Sequence, residues 1–419
     1  MKIRKTETDG GSEGQLKVSV VSALNHFPID HATVSIADTD DPNRTIEEID
    51  TDSSGQTEQI SLPSPPLEYS MEPGEPRPYT EYTLHITAEG YEPVTVTGTE
   101  ILPGVLALQP VEMRPLAAGP SPSDNVSIPD HTLYGEFPPK IAEDEIKPVG
   151  DSGEIVLSRV VVPETIVVHD GAPSNSSASN YYVPYRDYIK NVASSEIYAT
   201  WPQSTITANV LAIMSFTMNR VYTEWYRNRG YDFTITSSTA YDQKWIYGRN
   251  IYEEISMVVD DIFTNYLSRP DVKQPILTQY CDGKRVTCPN WLSQWGSKTL
   301  GDQGYSPIEI IRHYYGEDMY INSAEIISGI PSSWPGENLT QGSRGDKVRQ
   351  MQEQLNAVAS VYTAIPTIAA DGIYGPATAE AVRTFQSVFG LPQTGVVDYR
   401  TWYKISAIFV AVTRMAELN

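Results

Sequence analysis

The chain has 419 residues and a formal charge of −23, most of it carried by residues 1–150. That length gives roughly two to four domains with ample apolar material for cores, and the acidity argues against nucleic acid or anionic membranes as partners. No run approaches the roughly 18 apolar residues of a membrane span, and the opening MKIRKTETDGGSEG lacks the apolar stretch of a secretory signal.

Residues 1–115 read as an all-β sandwich. Leu16, Val18 and Val20 alternate with polar positions, as do Ala32, Val34 and Ile36 after a turn. EYTLHITAEGYEPVTVTG and VLALQPVEMRP supply further strands, with Gly and Pro between them. The segments DSSGQ (52–56) and AEGY (88–91) resemble those of carboxypeptidase-regulatory, transthyretin-like domains. That resemblance implies a folding or regulatory module, and the stretch contains no nucleophile or metal cluster. Residues 116–150 are rich in Pro, Ser, Gly and acid, which predicts an exposed, partly extended linker. Such a linker is a passive spacer or a processing site.

Residues 151–330 form the candidate catalytic domain. GEIVLSRVVVPETIVVHDG predicts two apolar strands. The next stretch, 188–225, places Glu196 ahead of a long helix. Pro202 suits a first helical position, and Ile206, Val210, Ile213, Met214, Phe216 and Val221 recur near helical period. Gly230 reads as its stop. A glutamate in this place is more often a cap or a partner of the helix dipole than a catalyst. Tyr198 and Trp201 alter that balance, because an aromatic surround disfavours an ionised carboxylate and suits a proton donor. Ser237, Thr239, Tyr241 and Gln243, with Trp245 and Tyr247, have the chemistry of sugar binding: flat faces for rings, neutral donors for hydroxyls. Residues 252–267 predict a second amphipathic helix. Cys281 and Cys288 are too few for a disulfide framework or a four-ligand zinc site. They form one local disulfide or remain two free thiols.

The stretch around Glu196, with Ala199, Trp201 and Pro202 after it, resembles the catalytic motif of the SpoIID/LytB domain. Ser293-Gln294-Trp295-Gly296, followed by Gly304, Ile308, Ile311 and Tyr314-Tyr315, resembles that domain's tail. The resemblance implies that Glu196 is the acid/base of a peptidoglycan lytic transglycosylase. It places the Ser293-Gln294 segment close to that glutamate, and the candidates for substrate contact are then Tyr198, Trp201, Ser237, Thr239, Tyr241, Gln243, Ser293, Gln294 and Trp295. Many members carry a His-Cys pair before the glutamine matching Gln243. Tyr241 and Asp242 stand there instead, so neither metal nor cofactor is expected. Asp232 and Asp242 are the nearest second carboxylates, which a hydrolytic muramidase would need.

Residues 335–419 predict three helices. Val348, Met351, Leu355 and Val358 make one face, and Ala381, Val382, Phe385 and Phe389 another, with Thr378 as a cap. DGIYG (371–375) and the Thr401-Trp402 segment complete a pattern that resembles the peptidoglycan-binding domain. Asp371, Tyr374 and Gln386 are the candidates for glycan contact.

The order of segments gives a multidomain α+β fold. It resembles the cortex-lytic enzyme precursors of clostridial spores, the SleC type. That implies a zymogen located in the spore cortex or coat region without a conventional signal peptide, and wall-associated after activation. Its partners would be cortex glycan strands and a germination serine protease cutting the N-terminal region. The rival is a non-catalytic, wall-binding enhancer of a separate amidase.

Overall fold

The computed structural model describes residues 12–74, 76–116, 124–147, 157, 159–324, 326–328 and 334–416. The N-terminal part contains β1 (Ser12–Ser22), β2 (Thr33–Asp38), β3 (Thr45–Asp50), β4 (Ile60–Ser64), a short α1 (Glu68–Met71), β5 (Thr80–Thr87), β6 (Val94–Ile101), β7 (Leu106–Met113) and β8 (Asp124–Ser127). In one sheet β1 lies antiparallel to β4 and parallel to β7. The second sheet has the order β3-β2-β5-β6-β8. The alternation read from the sequence sends Leu16, Val18, Val20, Val34 and Ile36 inward, all fully buried.

Residues 128–147 of the expected linker carry no helix or strand and alternate between exposed and buried positions. Ile128 follows β8 and packs so closely on Gly98 that a Cβ there would meet its carbonyl oxygen at 2.5 Å. His131, Thr132, Leu133 and Lys147 are buried. This strap lacks a hydrophobic period but is held by backbone groups. Ile141 N–H donates to Ala240 O at 2.7 Å, and Leu277 N–H donates to Glu145 O at 2.9 Å. Within the predicted linker, residues 124–127 form β8 and pair with β6, and residues 117–123 and 148–150 lie outside the described residues.

The central part runs through β9 (Val161–Val162), β10 (Thr165–His169), β11 (Asn180–Pro184), α2 (Tyr185–Glu196), α3 (Gln203–Tyr222), β12 (Ile235–Thr236), β13 (Ile251–Tyr252), α4 (Glu253–Ile262), β14 (Asn265–Ser268), β15 (Tyr280–Cys281), β16 (Leu292–Ser293), α5 (Gln294–Asp302), α6 (Pro307–Tyr315), β17 (Tyr320–Ser323) and β18 (Ile326–Ile327). Helix α3 is buried on nearly every side. Pro202 is its N-cap, one position earlier than expected. The helix also ends early: Glu224 takes a left-handed φ of 46°, and Gly230 closes only a short 3-10 turn. Helix α4 stops at Ile262 because residues 265–268 pair with β17. Strand β13 leaves the central part and extends the N-terminal sheet beside β7. None of the described helices is long and apolar enough to cross a membrane.

The C-terminal part is α7 (Asp346–Ala359), α8 (Pro376–Val388) and α9 (Tyr399–Ala416). Helix α8 starts from Gly375 and Pro376, so Thr378 is not its cap. It is buried and accepts a bond from Gln352 Nε2 at 3.1 Å. Gln352 and Gln386 repeat one device. Each carboxamide receives the N–H of a turn glycine, Gly372 or Gly395, and donates onward to a threonine at the next helix, Thr378 or Thr401. Gln386→Ala strips four such bonds from a fully buried site. It should lower stability by roughly 1–3 kcal/mol, seen as an earlier thermal transition of this part.

Candidate functional site

Glu196 is the last residue of α2, and its carboxylate is buried. The helix end leaves its carbonyl without an intrahelical donor. Gln294, the first residue of α5, supplies one: Nε2 lies 2.9 Å from Glu196 O and 3.2 Å from Oε2. One amide therefore fixes both the helix end and the side chain. Oε1 accepts from Lys244 N–H at 2.9 Å and from the Tyr280 hydroxyl at 3.3 Å. Burial, with the Glu196 charge adding to it, pushes the Tyr280 phenol far above its ordinary range, so it stays a donor.

A cavity of about 320 Å³ opens beside this carboxylate. Its central-part wall includes Thr239, Tyr280, Asp282, Arg285 and Gln294. The strap closes it with Thr132, Glu136, Phe137, Pro138, Pro139 and Lys140. Thr132 donates its hydroxyl to Ser195 O at 2.8 Å and sits 3.5 Å from Glu196 Oε2. The Lys140 ammonium lies 4.7 Å from the Tyr280 ring centroid and bonds the carbonyls of Thr239 and Asp242. Arg285 grips the strap through the carbonyls of Thr132, Tyr134 and Gly135. It is aimed by Asp282, which accepts the N–H groups of Lys284, Arg285 and Val286. His131 is buried against Tyr198, with ring centroids 4.5 Å apart. Burial holds its imidazole well below the ordinary range, so it is neutral. Leu133 N–H donates to Nδ1, which leaves the proton on Nε2 facing Ile197 O.

Several residues expected at substrate have structural roles. Tyr198, Trp201 and Trp295 are at most 4 % exposed and pack as a cluster, with Trp201 and Trp295 4.9 Å apart. Apolar aromatic rings serve a core as well as a cleft, and their composition does not distinguish the two. Gln243 is fully buried and bonds Tyr188, Thr217 and the Ile213 carbonyl. Ser293 is the N-cap of α5, accepting Gly296 N–H at 3.0 Å. A Cβ at Gly296 would meet the Tyr314 hydroxyl at 2.1 Å, so close packing demands glycine there. Ser237 is buried and donates to Asp170 at 2.7 Å. Tyr241 is half-buried, and its carbonyl accepts from Arg220. Thr239 and Gln294 do line the cavity.

Neither expected second carboxylate lines the cavity wall. Asp242 is fully buried, paired with Arg220 Nε at 2.7 Å and bonded by Tyr226 and Thr236. Asp232 is exposed and accepts from Asn180. The cavity carboxylates that sequence reading missed are Asp282 and, on the strap, Glu136. Lys244 was missed because a backbone N–H has no side-chain signature, and Tyr280 because it lies 84 residues from Glu196. Cys281 and Cys288 form a disulfide. Among the described residues, no group of three or more His, Cys, Asp or Glu side chains converges as a metal site. In the C-terminal part, Tyr374 and Gln386 are buried rather than presented to a glycan. Tyr374 donates to Gly395 O at 2.9 Å. Asp371 is exposed, but it accepts Ile373 N–H at 2.8 Å and shapes its own turn.

Residues 344–405 match the family described as putative peptidoglycan binding domain. A 73-residue stretch is 41% identical to the zinc D-Ala-D-Ala carboxypeptidase of Streptomyces albus G, covering 17% of this chain and 27% of that protein. The chain thus spans about a quarter of the length of this curated relative. Among solved structures, the SleB N-terminal domain is 29% identical over 17% of this chain and 93% of its own, with a TM-score of 0.16. The minor pilin GBS52 of Streptococcus agalactiae is 18% identical over 27% of this chain and 49% of its own, with a TM-score of 0.18. Within its mixed α+β fold, the chain carries a C-terminal helical peptidoglycan-binding domain.

Proposed function

We propose that this chain is the inactive precursor of an enzyme that cleaves peptidoglycan glycan strands, a lytic transglycosylase with Glu196 as its single acid and base. The observation that carries the reading is the carboxylate of Glu196. It is held by neutral donors from three separate segments at a cavity wall, beneath a strap from the preceding part of the chain. The peptidoglycan-binding domain supports a wall polymer as the substrate. The spore cortex as the setting, and a germination serine protease as the activator, rest on the family resemblance of the sequence.

Transglycosylation needs one carboxyl group. Glu196 gives its proton to the glycosidic oxygen as the C1–O bond breaks. The C6 hydroxyl of the same muramyl residue then attacks C1 and returns its proton to Glu196. The product is a 1,6-anhydro end, and no water is consumed. Hydrolysis is the second reading, favoured by Asp282 on the same wall. Against it, three backbone N–H groups and Arg285 Nε already occupy that carboxylate. Those donors hold it below its usual range against the opposing effect of burial.

The precursor state is testable through the strap that lines the cavity. Lys140→Ala removes an ammonium bonded to two carbonyls. Hydrogen bonds to a charged group are worth roughly 1.5–3 kcal/mol each. Cleavage of purified cortex by the uncut chain should therefore rise by about tenfold or more. An unchanged rate, in a variant that binds wall normally, would remove the strap from the account.

A further inference from the structure

We propose that the part of the chain up to Lys147 behaves as a non-covalent subunit. On this view, cutting the backbone between Lys147 and Leu157 does not by itself uncover Glu196. The proposal rests on the precursor reading for its consequence, though not for its geometry. The seam between the N-terminal and central parts is built like a core. Strand β13 adds antiparallel to β7, pairing Ile251 with Leu108 and Tyr252 with Ala107. Beside it, Arg249 forks onto Glu100 at 3.2 and 2.6 Å, with both side chains at most 1 % exposed. Asn250 closes a ring with the Glu100 backbone, accepting its N–H and donating to its carbonyl, each at 3.1 Å.

A second seam lies near the candidate site, where Trp201 Nε1 donates to Ser70 O at 2.9 Å. The buried apolar side chains on both sides belong to one contiguous cluster. Interfaces of this kind resemble a domain core cut in two and are found in permanent complexes. The strap itself is tied by Glu143 to Arg220, at 2.5 and 3.0 Å, on top of its backbone bonds. Each of these contacts joins residues on opposite sides of the stretch between Lys147 and Leu157 and uses none within it, so none is lost when that stretch is cut. Release of the cleaved part then becomes a separate step, favoured by dilution.

The test uses the full chain with a site-specific protease sequence introduced between Lys147 and Leu157. After complete cutting, gel filtration at micromolar concentration should give both fragments in one peak at the volume of the uncut chain. Glu100→Gln leaves Arg249 without its charge partner, and the cut fragments of that variant should separate into two peaks. If Glu100→Gln does not fold, Gln109→Ala replaces it. That change removes the 2.8 Å bond to Gly248 O across the seam and should raise fragment dissociation by about tenfold. Prompt separation of the cut wild-type fragments would overturn the proposal. Elution reads hydrodynamic size and does not depend on activity. Co-elution without glycan cleavage at any dilution would therefore count against the enzyme reading and leave the subunit in place.

Discussion

Glu196→Gln yields a protein that folds and binds wall but no longer cleaves glycan. The glutamine keeps the size of the side chain and one carbonyl acceptor, so Lys244 N–H and the Tyr280 hydroxyl retain a partner. What is lost is the proton, together with the acceptor that Oε2 offers to Gln294 Nε2, whose bond to the residue's own carbonyl remains. A positioned acid or base contributes roughly 10²–10⁴ in rate, and here one group serves both steps. The loss should fall on kcat, measured as release of soluble fragments from purified cortex. Binding through the C-terminal domain should be unchanged in a pull-down on intact wall. Full activity in this variant would remove Glu196 as the acid and base, whereas absence of cleavage by the cut wild-type protein, with wall binding retained, would return the chain to the rival reading, a binding partner that enhances a separate amidase.

Asp242→Ala has the opposite profile, a large loss of stability with no special role in the chemistry. The substitution leaves the Arg220 guanidinium with Glu143 of the strap as its remaining acid, and orphans Tyr226 and Thr236. Breaking a buried ion pair from one side costs roughly 3–5 kcal/mol. The urea midpoint should fall accordingly. Asp232→Asn, on an exposed carboxylate, should change stability by no more than about 0.5 kcal/mol. Together the two variants separate a structural carboxylate from a surface one, a distinction that their spacing in sequence does not carry.

The periodic parts of the fold were legible in the sequence. The inward faces of β1 and β2 and the buried faces of α7 and α8 followed from alternation and helical spacing. Element ends were less so, because α4 gives way to a strand pairing more than fifty residues away in sequence. The strap was illegible for a related reason. Its composition predicts solvent, but its polar groups find acceptors and donors on α2, the loop before β15 and Arg285, none of which is nearby in the chain. At the site, Glu196 and Gln294 came from motif resemblance. The roles of Trp201 and Trp295 did not, since the rings that would stack on a sugar also fill a core.

In the proposed mechanism a single acid/base cleaves glycan without water. The most direct measurement is mass spectrometry of the fragments released from purified cortex by the cut protein at low concentration. Fragments ending in 1,6-anhydro muramyl sugars are the predicted result. Reducing muramyl ends would contradict it and transfer the second role to Asp282.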